Sequence, residues 1–386
     1  MPPRCSGGAI GRSDALPPIL PAMSSLKDAL RTVEDHARKL AAAVTSLPPD
    51  CNEAEPRHRA YNPGVDEKRY LASLARAFGG AGVAPAIPPA APASLGAGEE
   101  VATAYGPCLA LVSAHPARLA FPDRSLSTEA VAQAFSLLFG IGPVREGGLR
   151  AAGARTFADL AAHPRYGSQA RGWLSALARG DLALLHDGIS RRFSPSHDLL
   201  LHLLAFADRE DLVFLDIETL GLSSLPAFLI GIGRLSGGGI EVRQYLARTL
   251  GEEPAILSAL REELPPQPIV ISYNGKAYDW NHLRGRCAYH GLGPLPEPVH
   301  LDLLFFARRR WGGELRDCSL GEVERAVLGV ERELDVPGEH VPALYENYLR
   351  TGSAATLRPV IAHNREDVLT LTRLLSVLLD RVTRPG

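Results

Sequence analysis

The hydrophobic and polar positions divide the chain into three stretches of different periodicity. Residues 1–100 are rich in Pro, Gly, Ser and Ala with little apolar periodicity, which is typical of a leader and linker with short helices. Residues 101–207 combine a small β element, Pro107–Val112 and Leu119–Phe121, with apolar positions at helical spacing. Residues 208–386 alternate short apolar runs with amphipathic stretches, which indicates an α/β domain.

The α/β pattern predicts a ribonuclease H-like mixed sheet flanked by helices and preceded by a small helical region. Three strands joined by short connections form an antiparallel meander, and strands separated by helices pair in parallel. The predicted strands are Leu212–Ile217, Ala227–Arg234, Ile240–Leu246, Ile269–Tyr273 and Val299–Leu304, and the predicted helices are Pro254–Leu264, Asp279–His290, Leu320–Leu328, Pro342–Arg350 and Pro359–Leu379.

The helical region contains a Gly-Ile-Gly-Pro turn at residues 140–143, between two predicted helices. The turn resembles the helix–hairpin–helix module, whose exposed backbone N–H groups bind phosphates without reading sequence. Gly140 and Gly142 would then contact nucleic acid. A purely structural helical hairpin is the alternative.

Composition narrows the function classes only slightly. A net charge of −2 gives no whole-chain case for nucleic-acid binding, so a polyanion site must come from local patches. The five cysteines are odd in number and lack metal-ligand spacing, so we expect them to be reduced. The chain has no apolar run of about 18 residues and no secretion signal, so we expect a cytoplasmic protein without a membrane span. Met1 and Met23 are both candidate start sites.

Two carboxylates end the first predicted strand, in Phe-Leu-Asp-Ile-Glu-Thr at residues 214–219. Side chains alternate along a strand, so Asp216 and Glu218 project to the same face. Like charges at this spacing repel unless water or a cation neutralises them. A hard divalent ion with oxygen ligands is one solution, and a strand that ends in solvent is the other.

Two later segments carry further acids. Asp279 closes the run Asn-Gly-Lys-Ala-Tyr-Asp at residues 274–279, near a helix N-terminus, where helix capping is the alternative role. His363 and Asp367 are four residues apart and therefore share one face of the last helix. They border its apolar stripe, where an acid without a role is unfavourable.

Together, these segments resemble the DEDD exonuclease superfamily, with D-x-E on a first strand, N-x-x-x-[FY]-D after a later strand and [HY]-x-x-x-D on a final helix. More narrowly, residues 211–380 resemble the bacterial YprB-like ribonuclease H-like family. The segments that carry this resemblance are F-L-D-I-E-T-x-G-L, Y-N-G-K-x-Y-D, H-L-D-L-L, S-L-G-x-x-E and H-N-R-E-D-V-L.

The resemblance implies metal-dependent hydrolysis of phosphodiester bonds in DNA or RNA, above all by a 3′–5′ exonuclease. It implies that Asp216, Glu218, Asp279 and Asp367 bind two Mg²⁺ or Mn²⁺ ions and that His363 is the general base. The chain departs from the superfamily at one point: a histidine usually stands five residues before the last Asp, and His363 stands four before it. An endonuclease with the same site and a non-catalytic nucleic-acid-binding scaffold are the alternatives.

Five other residues are candidates for supporting roles. Asn274 and Lys276 are candidate nucleotide and phosphate contacts, or ordinary turn residues. Arg309 and Trp311 lie in a run of aromatic and arginine residues that could bind phosphates and stack bases, or form a core helix with a basic face. Asp302 is a candidate partner of the metal site. The pattern leaves the oligomeric state open.

Overall fold

The computed structural model describes residues 95, 98–221, 225–332 and 336–383. The predicted leader, nearly all of the linker and the choice between Met1 and Met23 lie outside these residues.

Seven strands form one mixed sheet in the order β1-β2-β5-β4-β3-β6-β7. Strands β3, β4 and β5 form the predicted antiparallel meander, and β6 and β7 continue in parallel from β3. The predicted ribonuclease H-like α/β sheet is therefore confirmed. The strands are β1 Gly98–Thr103, β2 Gly106–Pro116, β3 Leu212–Thr219, β4 Ala227–Ser236, β5 Gly239–Leu246, β6 Ile269–Ser272 and β7 Val299–Asp302.

The hairpin β1–β2 belongs to this same sheet, because β2 pairs with β5 from Leu109 opposite Leu246 to Pro116 opposite Gly239. The predicted division at residue 207 thus separates strands that share one sheet. The predicted strand Leu119–Phe121 is wrong, because these residues follow β2 without regular structure. Strand β1 was missed because its sequence, Gly-Glu-Glu-Val-Ala-Thr, has the composition of the linker before it.

Twelve α-helices are found among the described residues. They are α1 Arg124–Ala132, α2 Pro143–Ala151, α3 Phe157–Leu160, α4 Gly167–Arg179, α5 Leu182–Ser190, α6 Asp198–His202, α7 Glu253–Glu263, α8 Asp279–Tyr289, α9 Leu303–Trp311, α10 Leu320–Val323, α11 Val341–Thr351 and α12 Arg358–Thr383. A π-helical turn, Glu324–Leu328, continues α10. None of the helices in the described part of the chain has the length and apolarity needed to cross a membrane.

Helices cover both faces of the sheet, and the alternation of β3 decides which side chains enter each core. Phe214 packs with α9, α12 and the helical region 124–206, whereas Val213 and Leu215 pack on the other face with α7, α8 and α11. Asp216 and Glu218 continue the row of Phe214, so the two carboxylates emerge on the face that α12 covers.

A buried ion pair attaches α8 to the sheet. The Glu253 side chain at the start of α7 is 1% exposed and accepts hydrogen bonds from Arg286 of α8, from His290 and from the backbone N–H of Ala227 in β4. The Arg286 side chain is completely buried. Because α8 begins with Asp279, this pair helps to position one of the candidate ligands.

Replacing Arg286 with Met should destabilise the protein by about 3 kcal/mol, because Glu253 would keep a buried charge without its main partner. Urea denaturation monitored by circular dichroism measures the change. Arg284→Met on the same helix is the control, because the Arg284 side chain is 51% exposed and its partner Glu297 is more so. Equal stability of the two variants would contradict the assigned role of the pair.

Candidate active site

The first two carboxylates lie where β3 leaves the sheet. Asp216 is opposite Gly231 and Glu218 is opposite Leu229 in β4, and the register shifts between Glu218 and Thr219. Such a bulge bends a strand and redirects the side chains next to it. The parallel pairing of β3 with β6 ends at Phe214, so Asp216 and Glu218 project beyond the end of the neighbouring strand.

An amide of the long helix α12 fixes the orientation of Asp216. Asn364 is completely buried, and its Nδ2 donates to Asp216 Oδ2 at 2.7 Å and to the Asp216 carbonyl at 3.2 Å. Gln244 of β5 donates from Nε2 to Asn364 Oδ1 at 2.8 Å. A Cβ at Gly231 would lie 2.2 Å from Asn364 Oδ1, so only glycine lets the amide reach the strand.

Asp302 builds the turn that precedes α8. Its carboxylate accepts the backbone N–H groups of Asn274, Lys276 and Leu304 at 2.8–3.1 Å. Asn274 has φ = 64°, a left-handed conformation that asparagine tolerates better than most residues. These contacts give Asp302 and Asn274 structural roles that organise the second motif. The role of Asp302 as a partner of the metal site stays a prediction.

The same turn brings Asp279 to the end of β3. A Cβ at Gly275 would lie 2.8 Å from Asp279 Oδ2, so the turn backbone passes close to the carboxylate. Tyr278 donates from Oη to the carbonyl of Gly221, at 2.9 Å, and lies 3.0 Å from Thr219 Oγ1. These hydrogen bonds connect the second motif directly to the bulged end of β3.

The third segment places Asp367 and His363 on the face of α12 that is turned towards these strands. His363 Nε2 lies 3.5 Å from Asp367 Oδ2. Arg332, from the segment after the π-helical turn, donates to Asp367 Oδ1, and its Nη1 is 3.1 Å from His363 Nδ1. A guanidinium has only donors, so in this contact Nδ1 accepts and the ring proton lies on Nε2.

The four carboxylates act on one another electrostatically. Burial, followed by repulsion from neighbouring carboxylates, raises the pKa of Asp216 and Glu218 well above the usual range. Burial and the charges of Asp302 and Asp367 raise the pKa of Asp279 to about 8. Burial also raises the pKa of Asp367, although His363 and Arg332 oppose the shift. Carboxyls disturbed in this way favour a bound cation.

The donor chemistry of this group fits a hard divalent ion. Asp216, Glu218, Asp279 and Asp367 supply only oxygen ligands, the type that Mg²⁺ and Mn²⁺ prefer. Across the described residues, no three His, Cys, Asp or Glu side chains converge as a ready-made coordination set. Asp367 is hydrogen-bonded to Arg332, and Asp216 to Asn364.

The residues predicted to contact nucleic acid lie in three different environments. Trp311 is 7% exposed and packs in the core, so the predicted base stacking on its ring is wrong. Arg309 donates to the carbonyl of Ser196 and to Asp198, and so connects α9 to the helical region. Lys276 lies in the turn held by Asp302.

The turn at residues 140–143 joins a short 3₁₀ turn, Phe135–Leu137, to α2. Gly140 has φ = 87°, and Gly142 is the N-cap of α2 without a side-chain capping bond. Arg145 donates to the Gly140 carbonyl, and a Cβ at Gly140 would lie 3.4 Å from an Arg165 nitrogen. The helix–hairpin–helix assignment stays a prediction.

Four residues around the site were not identified from the sequence: Gln244, Glu324, Arg332 and Asn364. Asn364 lies inside the quoted H-N-R-E-D-V-L segment, and Glu324 is the last residue of S-L-G-x-x-E. Their positions in these motif segments could have marked both residues as candidates. Gln244 and Arg332 lie outside the motif segments, and only the folded chain brings them to the site.

Comparison with known proteins supports the fold class. Residues 213–379 match the model of the RNase_H superfamily. The uncharacterized protein YprB of Bacillus subtilis (strain 168) is 36% identical over 172 residues. That similarity covers 43% of this chain and 41% of YprB, so the chain matches less than half the length of this relative.

The fold and the sequence match together define the class: residues 213–379 form a domain of the RNase H superfamily. Within that superfamily, the similarity to YprB supports a YprB-like family for this region. The superfamily indicates a nuclease type of activity, and nucleases of this kind generally use divalent metals.

The raised pKa of Asp279 predicts that the metal-free protein loses stability as the pH rises. The folded protein keeps a proton at Asp279 up to about pH 8, whereas an unfolded chain releases it at about pH 4. Stability is therefore greatest at the acid end of this window and falls towards pH 8. At pH 8.5 in EDTA, Asp279→Asn should be more stable than the wild type by on the order of a few kcal/mol.

Urea denaturation at pH 5.5 and pH 8.5 tests this expectation, with a smaller difference predicted at pH 5.5. Asp187→Asn is the control, because Asp187 is 58% exposed on α5 and far from the carboxylates in sequence. A difference between wild type and Asp279→Asn that does not change with pH would contradict the electrostatic explanation.

Proposed function

We propose that the protein is a divalent-metal-dependent nuclease, and specifically a 3′–5′ exonuclease that cleaves DNA or RNA. The observation that carries the proposal is the group of four carboxylates with raised pKa values: two lie at the end of β3, one at the start of α8 and one on α12. A buried group of like charges is unfavourable without a cation, so its presence in a folded domain supports a metal-dependent function.

Asp216, Glu218, Asp279 and Asp367 would hold two Mg²⁺ or Mn²⁺ ions. When bound, these ions would activate a water molecule for in-line attack on phosphorus and stabilise the leaving 3′ oxygen. Asn364 keeps Asp216 in one orientation, and the turn held by Asp302 positions Asp279. The protein's contribution is therefore to hold oxygen ligands rigidly on a strand, a turn and a helix.

His363 is the proposed proton acceptor, and its contacts define a condition for that role. In its contact with Arg332 the ring accepts at Nδ1, so the Nε2 side carries the proton. For His363 to take a proton from water, this contact must open: either Nδ1 then accepts the proton, or the ring proton moves to Nδ1 and Nε2 accepts. A role in orienting water or Asp367 requires neither change.

The polarity of cleavage rests on the resemblance to DEDD exonucleases, and an endonuclease using the same carboxylates is the second candidate. A non-catalytic scaffold is the third, and the presence of all four acids counts against it. Because the chain covers 41% of its uncharacterized relative YprB, activity, substrate and partners of the whole protein are all part of the proposal.

The helical region is a candidate binding surface for the nucleic-acid backbone. Gly140 and Gly142 leave backbone N–H groups at the start of α2 accessible, and Arg145 and Arg165 lie beside Gly140. Helix N-termini and guanidinium groups both attract phosphates. Lys276 and Arg309 are further candidate phosphate contacts, on the domain that carries the carboxylates.

Asp367→Asn should abolish cleavage, with a loss of about 10³-fold or more, because several kcal/mol of transition-state stabilisation depend on bound cations. The assay uses 5′- and 3′-labelled single- and double-stranded DNA and RNA with Mg²⁺, Mn²⁺ or EDTA. Glu366→Gln is the matched control, since Glu366 is the preceding residue on α12 and pairs with Arg365 and Arg373. Cleavage in EDTA, or full activity of Asp367→Asn, would rule out the mechanism.

The products of the same assay distinguish the candidates. Mononucleotides released from the 3′ end support the exonuclease, and internal fragments support the endonuclease. Binding without cleavage in every metal supports the scaffold.

Substituting Arg145 and Arg165 together with Ala should weaken nucleic-acid binding about equally for all sequences. Fewer phosphates would be neutralised, so the slope of log K against log salt should fall by about 1 to 2. Fluorescence anisotropy across a salt series measures the slope. Arg284→Ala with Arg350→Ala removes the same charge from α8 and α11 and should leave it unchanged.

A further inference from the structure

We propose that Glu324 and Arg332 form a positioning pair for the active site: Glu324 anchors Arg332, and Arg332 sets the orientation of Asp367 and His363 for cation binding. This inference rests on the proposed function, because it concerns the same carboxylate group. It assigns a role to the S-L-G-x-x-E segment, which ends at Glu324 and supplies none of the four carboxylates.

Glu324 is held as an anchor. It is 2% exposed, and its two carboxylate oxygens accept from Arg332 at 2.7 Å and 2.5 Å in a bidentate pair. Thr370 of α12 donates a further hydrogen bond to Oε1. A bidentate arginine–carboxylate pair restricts both side chains to one geometry. Arg332 is therefore located by Glu324 before it reaches the carboxylate group.

Arg332 also donates towards the site. It contacts Asp367 Oδ1 and His363 Nδ1, atoms of two side chains of α12. Asp367 Oδ2 lies on the side of His363 and is not bonded to Arg332 in these contacts. One guanidinium thus determines which oxygen of Asp367 is turned to His363 and which ring nitrogen of His363 accepts.

Charge and burial favour a permanent anchor over a group that leaves when a cation binds. Arg332 and Glu324 cancel each other's charge, and the Arg332 side chain is only 10% exposed. If Arg332 withdrew to solvent, Glu324 would remain buried with an uncompensated charge, which is strongly destabilising. The contact with Asp367 is therefore expected to persist when a cation is present.

The local backbone explains how Arg332 reaches this position. Glu324 opens the π-helical turn Glu324–Leu328, and Gly329 ends it with φ = 65°. A π-turn widens the helix and often accompanies functional sites, and the left-handed glycine reverses the chain. The reversal brings Arg332, eight residues after Glu324, back beside the carboxylate.

The test compares Arg332→Gln and Arg332→Lys with the wild type in a Mn²⁺ titration followed by thermal unfolding, with EDTA-treated protein as the start. Arg332→Gln should need about 10- to 100-fold more Mn²⁺ for half of the maximal stabilisation. Arg332→Lys should fall between the two, because one ammonium cannot form both bidentate and bridging contacts. Arg325→Gln is the matched control: Arg325 is 61% exposed on the same π-turn and pairs with Glu322.

Loss of Arg332 alone could unfold the region around Glu324, so Arg332→Gln/Glu324→Gln, which removes both charges, is measured in parallel, with circular dichroism of the metal-free proteins. A folded double variant with weakened Mn²⁺ response supports the positioning pair. Unchanged Mn²⁺ response overturns it, and a stronger response overturns it in favour of an arginine that competes with the cation.

Cleavage measured on the same samples separates the two proposals. A wild type that responds to Mn²⁺ in an Arg332-dependent way but never cleaves would overturn the nuclease and leave the positioning pair supported. A wild type that cleaves with Mn²⁺, together with an Arg332→Gln variant that matches it in Mn²⁺ dependence and rate, would overturn the pair and leave the nuclease supported.

Discussion

The hydrogen-bonded chain from Gln244 through Asn364 to Asp216 is the contact on which the rest of the site depends. It joins β5, α12 and β3 at a point where Gly231 leaves no side chain in between. An unsatisfied amide there would be costly, so the helix has one preferred position along the sheet. That position in turn determines where α12 presents His363 and Asp367. The two halves of the carboxylate group, one on a strand and one on a helix, are therefore aligned by a neutral amide and not by the charges themselves.

The parts that could be predicted from sequence are those governed by local periodicity. Alternation along residues 212–219 predicted both the strand and the shared face of Asp216 and Glu218, and the helical spacing of His363 and Asp367 predicted theirs. Arg332 and Gln244 could not be found in this way, because their partners lie 35 and 120 residues away and leave no periodic signal. Trp311 shows a different difficulty, a sequence pattern that is compatible with two structures. A core helix and a base-stacking surface can have the same run of aromatic and arginine residues, and only the burial of the side chains distinguishes the two.

The carboxylate group also illustrates how a fold accommodates charges that oppose its own stability. Two of the four acids have neutral or compensating partners: Asp216 an amide and Asp367 a guanidinium. Backbone contacts to Asp302 hold the turn before Asp279. The carboxylates still repel one another, and the stability supplied by the apolar cores on both faces of the sheet offsets this repulsion. Functional sites commonly contain residues that lower stability, such as these like charges. The well-packed remainder of the fold compensates for them.

The hairpin β1–β2 has a practical meaning for any shortened version of this protein. The region that is recognisable from relatives begins at residue 213, whereas the sheet begins at residue 98. A fragment that starts at β3 would lack β2 and so leave the backbone N–H and C=O groups of β5 without their partners along one side. Uncovered strand edges pair with other chains, so such a fragment is a candidate for self-association. The segment that matches the family model is therefore shorter than the segment that forms the complete sheet. Experiments on the domain need the longer segment, which starts at residue 98.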